Sequence, residues 1–260
     1  IMDYPTIIEI VTSTKTLLLH PGNFAVSAKG RADFVTNVDV EVQRYLQEHL
    51  ASLYPDVIML AEEQERLTIE EDKAYWILDP IDGTQNFIRQ MQCSAVSLAY
   101  YAEGSLQFGV IYNPFTDEVF HAVKDEGAFL GRTPLQVTKN ATLAQSLVSI
   151  GTSPYDRQYT EKNWPFFQEI FSQVLDVRRS GSAALDLAYV AAGRLDGYVE
   201  RNLKPWDMAA GLLLISEAGG QVTNYRGELP DVNANEDICA GNGLINGQLL
   251  SIIQKHWPEL

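Results

Sequence analysis

Cysteine is scarce: 260 residues contain only Cys93 and Cys239. Two are too few for a disulfide scaffold, and these lie too far apart in sequence to pair as metal ligands. They read as small buried thiols of a protein kept in a reducing cytoplasm. The four histidines, His20, His49, His121 and His256, offer no ligand spacing, which argues against zinc. Basic residues are few as well, 19 against 34 acidic ones, for a net charge of −15. That balance excludes nucleic acid and anionic membrane as expected partners, since both need a basic surface. No apolar run approaches the ~18 residues of a membrane span. The N-terminus lacks the basic-then-apolar pattern of a signal peptide, and there is no low-complexity tract, charge block or repeat.

What remains is an ordinary folded composition, 46% hydrophobic and 20% charged. Its length suits one large domain or two closely packed halves. Tyr4, Ile7, Ile8, Val11 and Leu18 share a helical face closed by Pro21-Gly22, and Val42, Leu46, Leu50 and Leu53 mark a second helix ending before Pro55. Strands are expected over 57–60, 75–78, 94–101, 106–112 and 118–123, with Glu103-Gly104 as a hairpin turn. Beyond about residue 140 strands and helices alternate: strands at 146–150, 174–178 and 195–200, helices at 160–171, 182–192 and 206–218. The pattern reads as layered α/β, with a soft boundary between residues 1–140 and 141–260 inside one compact unit.

Five carboxylates stand out: Glu62 and Glu63 in "LAEEQ", Asp79 and Asp82 in "DPIDGT", and Asp207 in "PWDMAAG". They fall at strand ends and a helix start, where open α/β sheets gather their sites. Each has an unremarkable alternative. "EEQE" can be a solvated acidic loop, Asp79-Pro80 a turn, Asp207 a favourable first-turn helix residue, and Thr36-x-x-Asp39 a capping box. "DPIDGT" is harder to set aside, because two acids, a permissive glycine and a hydroxyl follow an apolar strand directly. Hard oxygen ligands suit Mg²⁺, and free amides at Gly83-Thr84, where a short helix can begin, suit an anion. Metal ligands beside an anion site point to metal-assisted phosphoryl transfer.

At these motifs the chain resembles the inositol monophosphatase family, the lithium-sensitive, Mg²⁺-dependent phosphatases. "LAEEQ" is similar to the family's acidic pair, "WILDPIDGTQNF" to its central signature and "PWDMAAGLLLISEAGG" to its C-terminal signature. "KGRADFVTNVD" and "RRSGSAALDLAYVAAGRLDGYVE" match in order and spacing, so the resemblance spans roughly residues 29–220. It implies the αβαβα sugar-phosphatase sandwich shared with fructose-1,6-bisphosphatase. Carried over, it assigns two to three Mg²⁺ to Glu62, Asp79, the Ile81 carbonyl, Asp82 and Asp207, with Glu63 behind them. Asp39 and Thr84 would orient and activate the attacking water, and the Gly83 and Thr84 amides would bind phosphate. Asp82, Gly181, Ser182, Ala183 and Glu200 would contact the alcohol part of the substrate. Most metal ligands thus come from the first half, Asp207 and the substrate contacts from the second. Ala61 replaces a usual glycine, Gln64 is atypical after the acidic pair, and Gln85 stands where a small hydroxyl residue is usual.

The resemblance implies hydrolysis by activated water without a phosphoenzyme, in a cytoplasmic homodimer. Doubly charged ions would make the pocket net positive inside an acidic protein. Inositol 1-phosphate, fructose bisphosphate, 3′-phosphoadenosine 5′-phosphate, histidinol phosphate and the 2′-phosphate of NADP all suit relatives of this architecture; chain length favours the first. A haloacid-dehalogenase phosphatase is the enzymatic rival. Its Asp-x-Asp pair shares one side of a strand, whereas a period of two puts Asp79 and Asp82 on opposite sides. A divalent-cation-binding regulator is the non-enzymatic rival, though no EF-hand loop is present.

Overall fold

Asp3 caps the first helix by accepting the Thr6 amide, with Pro5 in the opening turn. A computed structural model describes residues 2–63 and 68–259, so Gln64 lies outside the described residues. The expected first helix is two: α1 (Tyr4–Ser13) and α2 (Lys15–Leu19). Thr12, Ser13 and Thr14 each donate their hydroxyl to the carbonyl three residues back, and this run of back-bonding breaks the helix between them. A hairpin of β1 (Val26–Gly30) and β2 (Asp33–Thr36) leads into α3 (Asn37–Leu53). The capping box forms there: the Thr36 hydroxyl accepts the Val38 and Asp39 amides, and Asp39 Oδ2 accepts the Thr36 amide at 2.8 Å.

Next come β3 (Ile58–Ala61), β4 (Tyr75–Asp82), the short α4 (Thr84–Ile88), β5 (Ala95–Ala102), β6 (Ser105–Asn113), β7 (Glu118–Val123), β8 (Gly127–Leu130) and β9 (Thr133–Pro134). These strands form a seven-stranded sheet in sequence order, antiparallel except for the parallel β3–β4 pair. Glu103 and Gly104 turn β5 into β6 with φ of 54° and 70°. The chain continues through β10 (Leu147–Ile150), α5 (Thr160–Gln173), β11 (Asp176–Arg178), α6 (Ala183–Ala191), β12 (Gly197–Leu203), α7 (Pro205–Glu217), β13 (Gln221–Asn224), β14 (Glu236–Gly241) and α8 (Asn246–His256). A five-stranded sheet results, ordered β11-β10-β12-β14-β13. The strands β1, β2, β8, β9, β13 and β14 are not among those expected from the sequence.

Alternation along the strands separates the layers. Trp76, Leu78, Val96, Leu98, Phe108 and Val110 face α1 and α3 through Ile7, Val11, Val42 and Leu46. Their neighbours Tyr75, Ile77, Ala99 and Ile111 face the other way, toward Leu187 of α6 and Leu214 of α7. Tyr198, Ile238 and Ala240 of the smaller sheet close that middle core. Val148, Val199 and Cys239 point to the far side, onto Phe166 and Ile170 of α5 and Leu249 and Ile253 of α8. The order is therefore helices, sheet, helices, sheet, helices: the αβαβα sandwich. Cys239 is fully buried, whereas Cys93 is only half-buried, less enclosed than its small apolar side chain suggested.

Helix α7 lies between two sheets, which is why "MAAGLLLI" is apolar on every side and buried throughout. Small residues let it approach closely. A Cβ on Gly109 of β6 would stand 3.0 Å from both Cα and O of Ala210, backbone atoms with no rotamer to yield. Gly109→Ala is accordingly expected to destabilise the protein by about 1–3 kcal/mol through overpacking. Gly22→Ala, where nothing lies within 4 Å, should stay within about 0.5 kcal/mol. Paired denaturant titrations of the two variants check this.

Candidate active site

The apolar strand β4 ends in Asp79-Pro80-Ile81-Asp82, and the ladder changes there. Asp79 pairs with Ser97 and Asp82 with Ala95, so three steps on β4 oppose two on β5. This bulge inserts one extra residue and returns both aspartates to the same side, overturning the strict period-of-two expectation. Pro80, which has no N–H for a ladder, sits at the bulge, and Asp79 Oδ1 accepts the Ile81 amide at 2.9 Å. Asp207 arrives from the third position of α7, its Oδ2 holding the Lys204 amide at 2.8 Å. Carboxylate oxygens of Asp79, Asp82 and Asp207 all lie within 4.8 Å of one another, and all three residues are buried or nearly so.

Gly83 then turns the chain with φ +84°, and a Cβ there would press on Cys93 O, Gly181 O and Ser182 Cβ at 3.1–3.3 Å. Only glycine meets both demands. Across that contact the loop before α6 is held from both sides. Asn86 donates to the Cys93 and Ser180 carbonyls at 2.7 and 2.9 Å. The Ser182 hydroxyl and the Ala184 amide both donate to Asp82 Oδ2. Gly181, Ser182 and Ala183 are thereby brought against the "DPIDGT" turn. The Thr84 hydroxyl stands 3.0 Å from the Ile81 carbonyl and 3.3 Å from Asp39 Oδ1. Asp39 is completely buried, with Oδ2 bound to Thr36 and Oδ1 left toward Thr84.

Charge is the unusual feature. Burial pushes the Asp79 carboxyl well up, and the Glu62, Asp82 and Asp207 carboxylates add to it. Asp207 is raised in the same way, by burial and then by Asp82 and Glu62. Burial lifts Asp82 to about 6 against the hydrogen bonds from Ser182 and Ala184. It lifts Glu62 to about 7 against the pull of Lys29, and it raises Asp39 too. Lys29 of β1 binds Glu62 at 3.1 Å and Glu63 at 2.5 Å. Glu62-Glu63 is therefore no solvated acidic loop; Glu63 serves as an anchor for Lys29 beside the site. Among the described residues no ion pair reaches Asp79, Asp82 or Asp207. Hard oxygen donors gathered without a basic partner fit Mg²⁺.

A cavity of about 340 Å³ opens over these groups. Glu62, Asp79, Ile81, Asp82, Gly83, Thr84, Gly181, Ser182, Ala183, Glu200 and Asp207 line it, while Asp39 and Glu63 stand behind. Glu200 is buried, and it is not the end of the strand expected over 195–200: β12 bulges after it and continues to Leu203. Its carboxylate accepts the Ser153 amide at 2.9 Å and the Tyr198 hydroxyl, and fills the space a Cβ on Gly151 would need. The sequence reading missed Tyr155, Arg179 and Asp186 on the cavity wall, and the pairing of Lys29. Asp186, lifted by burial to about 7, accepts the Ser180 hydroxyl at 2.7 Å. Its signal was a charged residue on the otherwise apolar face of "SAALDLAYVAA".

The model of the inositol monophosphatase family matches residues 6–258. An inositol-1-monophosphatase from Rhizobium meliloti is 40% identical over 91% of this chain and 89% of its own. Among solved structures, the extragenic suppressor protein suhB from Bartonella henselae superposes with a TM-score of 0.90 at 34% identity, over 97% of this chain and 98% of that one. An IMPase/NADP phosphatase complexed with Mg²⁺ and phosphate gives 0.85 at 26% identity, over 96% and 92%. With the acidic cluster, the Gly83 turn and the five-layer fold all in place, the chain belongs to the inositol monophosphatase family.

Proposed function

We propose that this protein is a phosphoric monoester hydrolase that uses Mg²⁺ to hydrolyse a small phosphate monoester, inositol monophosphate before others. One observation carries the reading: Asp79, Asp82 and Asp207 are buried together with no basic partner among the described residues, beside the Gly83-Thr84 turn. The inositol-1-monophosphatase relative and the neighbour solved with Mg²⁺ and phosphate support it. Lithium sensitivity, a cytoplasmic location and a homodimer belong to the same proposal.

Glu62, Asp79, the Ile81 carbonyl, Asp82 and Asp207 would hold two to three Mg²⁺. When bound, the metal supplies the positive charge that draws a phosphate into an acidic pocket, and it acidifies water there. The protein does the positioning. Thr84 has a single hydroxyl proton; given to Asp39 Oδ1, it leaves an Oγ1 lone pair to orient a water for in-line attack. Asp39 cannot swing away, because Thr36 holds its other oxygen. The Gly83 and Thr84 amides bind phosphate oxygens, and Ser182 and the Ala184 amide fix Asp82 as an acceptor. Glu200, oriented by Ser153 and Tyr198, accepts hydroxyls of the leaving polyol. No side chain needs to carry the phosphoryl group.

Phosphate release should appear with Mg²⁺, vanish with EDTA and fall with Li⁺ across a panel of inositol 1-phosphate, NADP, 3′-phosphoadenosine 5′-phosphate, fructose 1,6-bisphosphate and histidinol phosphate. Inositol 1-phosphate should turn over fastest. Silence on every compound sinks the proposal, and phosphate trapped on an aspartate in rapid-quench experiments sinks the mechanism. Thr84→Ala should lose on the order of 10²-fold in kcat while Mg²⁺ still raises its melting temperature as in the parent.

The raised carboxyls also set a pH dependence. Folded values near 6 for Asp82 and near 7 for Glu62 and Asp186 exceed those of an unfolded chain. The folded protein therefore binds protons that the unfolded chain releases, and stability falls as pH rises from about 4 through about 7. Metal-free protein should melt lower at about pH 8 than at about pH 5.5, and Mg²⁺ should raise the melting temperature more at the higher pH. Asp207→Asn should flatten the metal-free slope. Differential scanning calorimetry at the two pH values, with and without Mg²⁺, reads all three.

A further inference from the structure

Gln85 departs from the residue type usual after the catalytic threonine of this family, and the structure gives it a contact of its own. Its side-chain amide donates a 2.6 Å hydrogen bond to the carbonyl of Ala32, 53 residues away at the turn of the β1–β2 hairpin. Among the described residues that hairpin pairs with no other strand, and β1 is exposed along its whole length. A two-stranded hairpin is marginal by itself. Its root is secured: Asn37 holds Asn23 and Ala25, and Phe24 meets Phe87 of α4 edge-on at 5.8 Å. Beyond the packing of β2 on α3 and α4, side-chain hydrogen bonds among the described residues tie down its outer end at two places, Lys29 to Glu62 and Glu63 on one side and Gln85 to Ala32 on the other.

The two tethers differ in what happens when a cation arrives. Lys29 is bound to Glu62, which the functional reading above assigns to metal, and to Glu63, which it does not, so a cation at Glu62 takes one of the lysine's two partners and weakens that tether. Gln85 holds a backbone carbonyl, which no such competition reaches. We propose that Gln85 is a positioning residue that keeps the hairpin turn over the cavity once metal has displaced Lys29 from Glu62. Through that bond it holds Ala32, Asp33 and Phe34 in the cavity wall beside Thr84. The inference rests on the proposed metal assignment of Glu62, but its test does not need turnover.

The measurement is amide hydrogen exchange of residues 26–36 in the full chain, with and without Mg²⁺. Gln85→Met keeps the length of the side chain and loses the N–H donor; Gln85→Arg supplies a donor again. In Mg²⁺, Gln85→Met should exchange the hairpin amides faster by roughly two- to ten-fold, the equilibrium shift of one neutral hydrogen bond. Without metal the change should be smaller, because Lys29 then holds both Glu62 and Glu63, and Gln85→Arg should return the rate toward the parent. In phosphate-release assays Gln85→Met should raise KM in the same range and change kcat less. Parent-like exchange in Mg²⁺, an equal increase with and without metal, acceleration that spreads through α4 and β4, or no recovery in Gln85→Arg would each overturn the proposal. A hairpin that responds as expected in a protein without phosphatase activity would leave the clamp standing and remove the functional reading instead.

Discussion

Negative charge buried at the end of β4 is the constraint from which the rest of the site follows. Asp79, Asp82 and Asp207 are removed from water within 4.8 Å of one another, and no lysine or arginine among the described residues pairs with them. Ionised carboxylates tolerate such surroundings only if a cation or a set of donors repays the lost hydration. The donors present serve single oxygens: Ser182 and the Ala184 amide at Asp82, the Lys204 amide at Asp207, the Ile81 amide at Asp79. They orient the carboxylates without neutralising them. Lys29 neutralises only the outer pair, Glu62 and Glu63. In a protein with a net charge of −15, the proposed divalent cations would reverse the local sign here and let an anionic substrate approach.

Bringing those carboxylates together requires close backbone crossings. Gly83 passes Cys93 and Gly181 with room for no side chain, and this seats the loop before α6 on the "DPIDGT" turn. Helix α7 reaches the same spot from the middle of the sandwich, with Gly109 against Ala210 and Gly211 against Leu187. Asp207 is therefore carried by a helix packed between the two sheets, and its carboxylate position is tied to the packing of both. The proposed catalytic pair is built differently. Asp39 is at once the third residue of a helix cap and the neighbour of the Thr84 hydroxyl, so a local stabilising motif also holds the carboxylate proposed to brace the attacking water.

What could be read from the chain followed from interactions between near neighbours. The apolar run Tyr75 to Leu78, the turn at Glu103-Gly104, the Thr36–Asp39 cap and the glycine after Asp82 all report local sterics and hydrophobic pattern, and they appear in the structure where expected. The same local logic failed wherever a distant partner intervened. Period-two reasoning separated Asp79 from Asp82, and only the register against β5 reveals the bulge that reunites them. Glu200 looked like a strand end because the bulge after it hides the continuation to Leu203. Lys29, in an exposed strand, carried no sign that it would meet residues 33 and 34 positions away.

The sequence by itself determined the kinds of groups available: hard oxygen donors, a glycine that turns, a hydroxyl after it, no histidine or cysteine set, and strands and helices in α/β alternation. Tertiary structure decided which of those groups share a space and in what electrical state. Ser182 reaches Asp82 across 100 residues, and the pKa of each acid was set by burial beneath layers assembled from both ends of the chain. The reason is physical. Backbone preference and hydrophobic period act over a few residues, whereas desolvation and Coulomb repulsion depend on distance in space, which exists only once the sandwich has closed.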